Sequence, residues 1–174
     1  MKGHTMKAIR IHPDDPALSL QFESIDTPQP LPNQILIRSV AAGVNHADLM
    51  ALRLGQDSRN SPTTPGLDVA GTVEEVGENI TTFKRGDRVM ALVRGGYAEF
   101  VTAREALASH IPETISFIEA ASVPCVFLTA WYGLTALGQM QSGERVLIHA
   151  AGSGVGTAGI QLAKALGATV YTTA

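Results

Sequence analysis

Four small residues near the carboxyl end of the chain have the types and spacing that suit binding of a phosphate. Gly152, Ser153, Gly154 and Gly156 form a loop in which little or no side chain covers the backbone N–H groups. The loop follows a short apolar run, residues 146–148, which is typical of a buried parallel strand. We expect roughly four or five uncovered N–H groups and the positive end of a helix dipole at this point, an arrangement that suits a pyrophosphate.

The segments around the loop predict the elements that position it. Residues 154–166 carry apolar side chains at helical spacing, Gly167 ends the helix, and residues 169–172 begin a second strand. A Gly-x-Gly-x-x-Gly pattern runs from Gly154 to Gly159, and alone it is weak evidence. Its context of strand, loop, helix and strand is the order expected of a dinucleotide-binding unit. An ordinary strand-to-helix turn with glycine at its tight points is the alternative.

Composition limits the function classes. The chain has 174 residues, 45% of them hydrophobic, which is enough for a packed core. The formal net charge of -3 does not indicate a basic surface for binding nucleic acid or anionic lipid. A single cysteine, Cys125, excludes an intramolecular disulfide and a four-cysteine metal site. No window approaches the roughly 20 apolar residues of a membrane span, so we expect a soluble, cytoplasmic protein that does not bind membranes.

The chain before this unit has a different sequence pattern. Residues 6–115 consist of short strand-like runs broken by turns, which predicts a β-rich domain. One helix, His46 to Leu54, is expected to interrupt it, with Asn45 placed to cap the helix N-terminus. A second helical stretch, Ile118 to Leu137, is expected to lead to the strand at Arg145. The strand-like runs are KAIRI, LSLQFE, QILIRSV, DVAGTVEEVG, DRVMALV and YAEFVTA.

Five motifs occur in a fixed order along the chain: AAGVNHADLMALRLG, PGLDVAGTVEEVGENITTFKRGDRVMAL, GGYAEFV, AASVPCVFLTAWYGL and GERVLIHAAGSGVGTAGIQLAKALGA. Together they resemble the medium-chain dehydrogenase/reductase superfamily, and most of all its zinc-independent branch of quinone oxidoreductases and enoyl reductases. The resemblance implies an α+β and then α/β fold. Residues 1–117 would form a GroES-like β-barrel catalytic domain. Residues 118–174 would form a linker helix and the first βαβ unit of a truncated Rossmann domain, with NADP(H), or else NAD(H), bound in the cleft between the domains.

The same resemblance implies the site residues. Asn45 is a candidate catalytic residue that would donate its amide to a carbonyl or to the cofactor. His46 is the second candidate, because imidazole titrates near neutral pH and suits a proton donor; a solvated or backbone-bonded histidine is the alternative. Thr129 would contact the nicotinamide end, whereas Asp48 is expected to be structural. The backbone expected to hold the pyrophosphate is that of Ala151, Gly152, Ser153, Gly154, Val155 and Gly156.

Zinc-dependent relatives hold a catalytic metal at places where this chain has other residues. Asn45 stands at the first ligand place and Leu67 at that of a histidine, neither of which replaces a thiolate or an imidazole. Cys125 lies near a third ligand place, but we expect it to be a small buried hydrophobe in a helix. Without a Lewis acid, the chemistry that remains is hydride delivery to an electron-poor C=C or a quinone. Quinone reductases often carry aromatic residues where this chain has Met50 and Gln56, so enones and enoyl thioesters stay open as substrates.

The sequence ends at Ala174, in the second strand of a sheet that has about six strands in a Rossmann domain. We therefore expect the first half of a longer protein, homodimeric at full length, and an isolated chain that is weakly active or inert and associates through residues 168–173. Three functions stay open. The first is an NAD(P)H-dependent reductase of enones, enoyl thioesters or quinones. The second is the enoyl reductase module of a polyketide or fatty-acid synthase, and the third is a non-catalytic GroES-like scaffold.

Overall fold

The computed structural model of the chain describes residues 4–12, 20–53 and 62–174, with only the backbone of residues 51–53. The chain divides into two compact units, Met1–Ser122 and Val123–Ala174. Each unit has β-structure of its own. No helix in these described ranges has both the length and the apolar character needed to cross a membrane.

The first unit is built on a five-stranded antiparallel sheet. Its strands are β3 (Gln34–Gly43), β4 (Asp68–Val76), β5 (Arg88–Leu92), β6 (Phe100–Arg104) and β7 (Ala108–His110), which lie in the order β6-β3-β4-β5-β7. A hairpin of β1 (Thr5–Ile11) and β2 (Leu20–Asp26) joins this unit through single bridges from Ala8 to Ala98 and from Ile11 to Thr63. The six predicted strand runs are confirmed as β1 to β6, whereas the three-residue β7 was not predicted.

The hydrophobic core of this unit lies on one face of the sheet, because side chains alternate along each strand. In β3, Ile35 and Ile37 are fully buried, and in β4, Val69 and Val73 are buried, with Val73 paired to Ile37. The remaining buried members of the core are Phe83, Val89, Ala91, Val93, Val101 and Ala103. A second buried cluster of Ala70, Ile111, Ala120 and Ala121 packs the helix α2 (Phe117–Ala121) on the other face of β4, since Ala70 points away from its neighbour Val69.

Strand β3 is irregular on its way to the site. Its register with β4 shifts between Leu36 and Ile37 and again between Ser39 and Ala41. Such bulges bend a strand and increase its twist. The strand ends at Gly43, which pairs with Asp68, the first residue of β4, so the carboxyl end of β3 and the amino end of β4 lie side by side.

The helix α1 (His46–Arg53) follows β3 directly. The predicted end at Leu54 lies outside the described residues. The predicted cap by the Asn45 side chain is not found among the hydrogen bonds of the described residues, because the Asp48 N–H donates to the Asn45 backbone oxygen instead. The Asn45 amide nitrogen donates to Asp68 Oδ2. Asp48 Oδ2 accepts from the backbone N–H of Asn45, which is one half of a capping box, and this contact helps to fix the start of the helix.

The single helical stretch predicted for residues 118–137 is wrong in its continuity. The structure has α2, then α3 (Pro124–Trp131), then a π-helix at Tyr132–Leu137. Ser116 and Glu119 form a capping box that starts α2. Pro124 stands at the first turn of α3, where the missing N–H costs nothing, and its ring disfavours a helix running through it.

The second unit contains the predicted βαβ arrangement. It consists of β8 (Arg145–Ile148), α4 (Gly154–Ala165) and β9 (Thr169–Thr172), with β8 and β9 parallel. Gly167 has a φ of +84° just after the helix, a conformation that glycine adopts without strain. The order and the bounds of these elements confirm the sequence-based fold class.

Candidate functional site

The glycine loop between β8 and α4 exposes fewer free N–H groups than the sequence suggested. Ser153 caps the helix, since its Oγ accepts from the Gly156 N–H at 3.0 Å. The Ser153 N–H donates to Ala150 O and the Ala151 N–H to Thr173 O. Among residues 151–156, this leaves the N–H groups of Gly152, Gly154 and Val155 without a hydrogen bond to the described part of the chain, and all three residues are exposed.

The loop keeps this shape because Gly156 has no side chain. Gly156 is buried, and a Cβ there would lie 2.4 Å from Ala150 O and 2.9 Å from Ala151 Cα. Ala150 itself has a φ of +51°, which is unusual for a residue with a Cβ. A Cβ at Gly154 would meet only Val126 Cγ1, at 3.1 Å, and one at Gly152 would meet nothing within 4 Å. Gly156 therefore fixes the turn, and the other two glycines leave it open to solvent.

Helix α3 packs beside α4 and carries Thr129. A Cβ at Gly159 of α4 would lie 3.9 Å from Ala130 Cβ of α3. The Thr129 hydroxyl donates to Cys125 O at 2.7 Å, so its oxygen can still accept a hydrogen bond from a ligand. Cys125 is half-buried in this helix. His149 Nδ1 lies 3.0 Å from Thr173 Oγ1.

In the first unit, four polar residues meet where β3 ends and β4 begins. We call Asn45, Asp48, Asp68 and Tyr97 the strand-end cluster. Asn45 Nδ2 donates to Asp68 Oδ2 at 2.6 Å, and the Asn45 backbone N–H donates to Asp48 Oδ2 at 2.8 Å. The Tyr97 hydroxyl donates to the same Asp48 oxygen at 2.7 Å. Gly43 O lies 3.3 Å from the Tyr97 hydroxyl oxygen.

Burial makes this cluster electrostatically distinctive. Asp48 is 7% exposed and Asp68 is 1% exposed, and in the described part of the chain they are the only buried charged residues. Burial raises the pKa of Tyr97 above its ordinary value, and the hydrogen bond to Asp48 and the charges of Asp48 and Asp68 add to the effect. Tyr97 therefore keeps its proton at neutral pH and donates it to Asp48.

Close backbone packing holds the cluster in place. A Cβ at Gly43 would lie 2.6 Å from Ala121 O and 2.8 Å from Asp68 Oδ2. Gly66 has a φ of +100°, and a Cβ there would lie 2.7 Å from the Tyr97 ring. The backbone at Gly43 therefore packs closely against Asp68, and the backbone at Gly66 against the Tyr97 ring.

The two candidate catalytic residues lie next to each other in this unit, but in different surroundings. Asn45 is half-buried and anchored, whereas His46 is exposed at the first position of α1. The structural role expected for Asp48 is confirmed by its contacts. Met50 is exposed, and Gln56 lies outside the described residues. Sequence reasoning missed Tyr97 and Asp68, although a charged residue opening an apolar strand was a signal for Asp68.

The place of the absent zinc ligand is filled by a hydrogen bond. Asn45, which stands where zinc-dependent relatives have their first ligand, is paired with Asp68. Across the described ranges, no three His, Cys, Asp or Glu side chains lie close enough together to hold a metal ion. The binding of zinc by the protein stays a matter for measurement.

These features define a GroES-like domain followed by a βαβ unit. Residues 31–113 match the alcohol dehydrogenase GroES-like domain family. The chain belongs to the medium-chain dehydrogenase/reductase superfamily, in the group that contains quinone oxidoreductases and the enoyl reductases of polyketide synthases.

Two relatives illustrate this group. The quinone oxidoreductase of Sus scrofa is 40% identical over 174 residues, which is 97% of this chain and 53% of the relative. A highly reducing polyketide synthase of Arthrinium phaeospermum is 42% identical over 153 residues, which is 85% of this chain and 6% of the synthase. The chain therefore spans about half the length of the quinone oxidoreductases that it matches.

Solved structures agree with this placement. The quinone oxidoreductase of Coxiella burnetii has a TM-score of 0.86 at 35% identity, covering 98% of this chain and 57% of that one. CurK enoyl reductase has a TM-score of 0.87 at 33% identity, covering 98% and 55%. A mycobacterial protein solved in complex with NADPH has a TM-score of 0.80 at 36% identity, covering 96% and 52%.

Proposed function

We propose that the chain belongs to an NADPH-dependent, zinc-independent reductase that transfers hydride to an activated C=C bond or a quinone. The observation that carries the proposal is the glycine loop, where the free N–H groups of Gly152, Gly154 and Val155 meet at the start of a 12-residue helix. Backbone N–H groups and a helix dipole at one point stabilise a doubly charged pyrophosphate. Two acidic side chains or a bulky residue here would have argued against such a ligand.

The loop residues and the cofactor fit each other chemically. The N–H groups of Ala151, Ser153 and Gly156 shape the loop through internal hydrogen bonds, so we assign the pyrophosphate contacts to the other three. The Ser153 hydroxyl remains able to donate, since its oxygen only accepts from Gly156. A bound dihydronicotinamide supplies the hydride. Thr129 is proposed to accept a hydrogen bond from the nicotinamide carboxamide through its hydroxyl oxygen.

Asn45 and His46 are proposed to handle the charge that develops on the substrate. Hydride addition to the β-carbon of an enone leaves negative charge on the carbonyl oxygen, which a positioned N–H group stabilises. One N–H of the Asn45 amide is used by Asp68, and the other is available for this oxygen. His46 is exposed and can deliver the proton that the α-carbon needs.

The preference for NADPH over NADH rests on the relative that was solved with NADPH. A small molecule with an activated double bond is the proposed substrate, and a homodimer is the proposed state of the whole protein. The second candidate function is an enoyl reductase module that acts on a carrier-bound thioester. The observation that favours it is the 42% identity to a polyketide synthase.

Steady-state kinetics of the full-length protein separate these readings. We expect reduction of at least one of 2-cyclohexenone, a crotonyl thioester and a naphthoquinone, faster with NADPH than with NADH. Preference for the thioester favours the module. No reduction of any of the three with either cofactor overturns the proposal and favours a scaffold.

The role of His46 has its own test in the same assay. His46→Phe is expected to lower kcat for enones while leaving the Kd for NADPH unchanged, because a proton donor acts after the cofactor is bound. His110→Gln serves as the matched control, since His110 lies in β7 beside Asp87 and outside the strand-end cluster. Equal kcat values for the two variants would remove His46 from the mechanism.

A further inference from the structure

We propose that the buried Asp68 is a positioning residue that holds the Asn45 carboxamide in one orientation, so that a fixed pair of groups faces the ligand. The inference rests on the proposed function and deepens it at the same site. It assigns no chemistry to Asp68 itself. Asp68 acts through Asn45, and its contribution is to remove one of the two orientations that a free amide would sample.

The contact itself sets the orientation. Asn45 Nδ2 lies 2.6 Å from Asp68 Oδ2, which is short for an amide donor and typical of a hydrogen bond to a charged acceptor. An ionised carboxylate accepts hydrogen bonds and donates none, so it selects the amide nitrogen and repels the amide oxygen. Asn45 is then left with its oxygen and one N–H, in a fixed arrangement, for a ligand.

Asp68 is suited to this task because it cannot move. It is the first residue of β4 and pairs with Gly43 of β3 on one side and with Leu92 of β5 on the other. Its exposure is 1%, and its Oδ2 lies where a Cβ on Gly43 would come within 2.8 Å. A side chain buried in this position gives Asn45 a hydrogen-bond partner that is shielded from solvent.

The main chain of Asn45 is fixed by a second, separate contact. Asp48 Oδ2 accepts from the Asn45 backbone N–H, and Tyr97 holds Asp48 through its hydroxyl. Asp48 thus fixes where Asn45 lies, whereas Asp68 fixes how its side chain is turned. Substitutions of Asp48 and of Asp68 should therefore have different effects on Asn45, the first on its position and the second on the orientation of its carboxamide.

A double-mutant cycle on the full-length protein tests the inference. In Asp68→Asn, the new amide can donate to the Asn45 oxygen and turn the carboxamide round. We expect kcat/KM for an enone to fall about tenfold in Asp68→Asn, as for loss of a hydrogen bond to a charged group, and by less than about twofold when the change is made in Asn45→Ala. Asp68 has another interaction besides this hydrogen bond, and the cycle separates the contact with Asn45 from it.

Tyr97→Phe is the matched control. It removes a hydrogen bond from the same cluster, but one that acts on Asp48 and the backbone of Asn45, which remain in Asn45→Ala. Its effect on kcat/KM is therefore expected to persist in the Asn45→Ala background. If the effects of Asp68→Asn and Asn45→Ala multiply as those of Tyr97→Phe do, or if Asp68→Asn keeps wild-type kinetics, the proposal is wrong.

A second measurement, by NMR, tests the inference on the wild-type protein. It requires neither a folded variant nor enzymatic activity. In the wild-type protein, the Asn45 side-chain amide proton that faces Asp68 is expected to be shifted downfield and protected from exchange with water, whereas the other amide proton is not. Addition of NADPH, alone or with an unreactive enone analogue, is expected to shift the other signal. Equally rapid exchange of both Asn45 side-chain amide protons with water would overturn the proposal. If the Asn45 amide proton is protected in a protein that reduces neither the enone, the thioester nor the quinone, the orientation of Asn45 by Asp68 is supported and the proposed function is refuted.

Discussion

Gly156 offers the sharpest test of how the glycine loop is built. In Gly156→Ala, the new Cβ would lie 2.4 Å from Ala150 O, and Cβ atoms essentially never come closer than 3.0 Å to another atom, so backbone must shift by about 0.6 Å. Overpacking against atoms that cannot rotate away costs about 1–3 kcal/mol. Alanine regains about 1 kcal/mol as a better helix former. We expect a net loss of up to about 2 kcal/mol in the free energy of unfolding.

Gly133→Ala is the matched control, because Gly133 also lies in a helical segment but has nothing within 4 Å of its Cβ position. It should gain up to about 1 kcal/mol from helix propensity. Urea unfolding of the full-length protein measures both variants. The loop shift should also raise the Kd for NADPH at least about tenfold in Gly156→Ala alone, because the free N–H groups move with Ala150 and Ala151. If both variants are stabilised and bind NADPH equally well, this account of the loop is refuted.

Three further predictions concern the rest of the chain. Because the pKa of Tyr97 is raised in the folded state, the stability it contributes is present below the ordinary tyrosine pKa of about 10 and is lost as the pH rises above it. The difference in unfolding free energy between wild type and Tyr97→Phe should therefore shrink in alkali, and a difference that grows would contradict the assignment. Ser116→Ala should cost about 1 kcal/mol in urea unfolding through loss of the α2 capping box, whereas an unchanged midpoint would show that the box contributes nothing. Elemental analysis of tag-free protein should find less than stoichiometric zinc, since Asn45 and Leu67 replace metal ligands, and zinc retained against mild chelation would be decisive against this.

The parts of the fold that were predictable are those whose signal is local. The periodicity of residues 145–172 was sufficient for the βαβ unit, because strand, loop and helix each have their own pattern within a few residues. The break between α2 and α3 was also local in origin, since Pro124 marks it, but a continuous apolar pattern concealed it. The three-residue β7 is too short to show alternation and depends on pairing with β5.

The parts of the site that were not predictable depend on contacts between distant residues. The partner of Asn45 lies 23 positions away, and the partner of Asp48 lies 49 positions away. No spacing rule links such residues until the register of β3 and β4 is known. The number of free N–H groups in the loop was overestimated for a similar reason, because the Ala151 N–H is taken by Thr173, beyond the end of β9.

The central claim is that this chain serves hydride transfer from NADPH to an activated double bond. The most direct test uses the full-length protein, 2-cyclohexenone and NADPH that carries deuterium at the transferable position of C4. The account predicts deuterium on the β-carbon of cyclohexanone and a hydrogen from solvent on the α-carbon. Ketone product without the label would contradict this, as would failure to reduce 2-cyclohexenone, a crotonyl thioester and a naphthoquinone alike while a known reductase is active in the same assay.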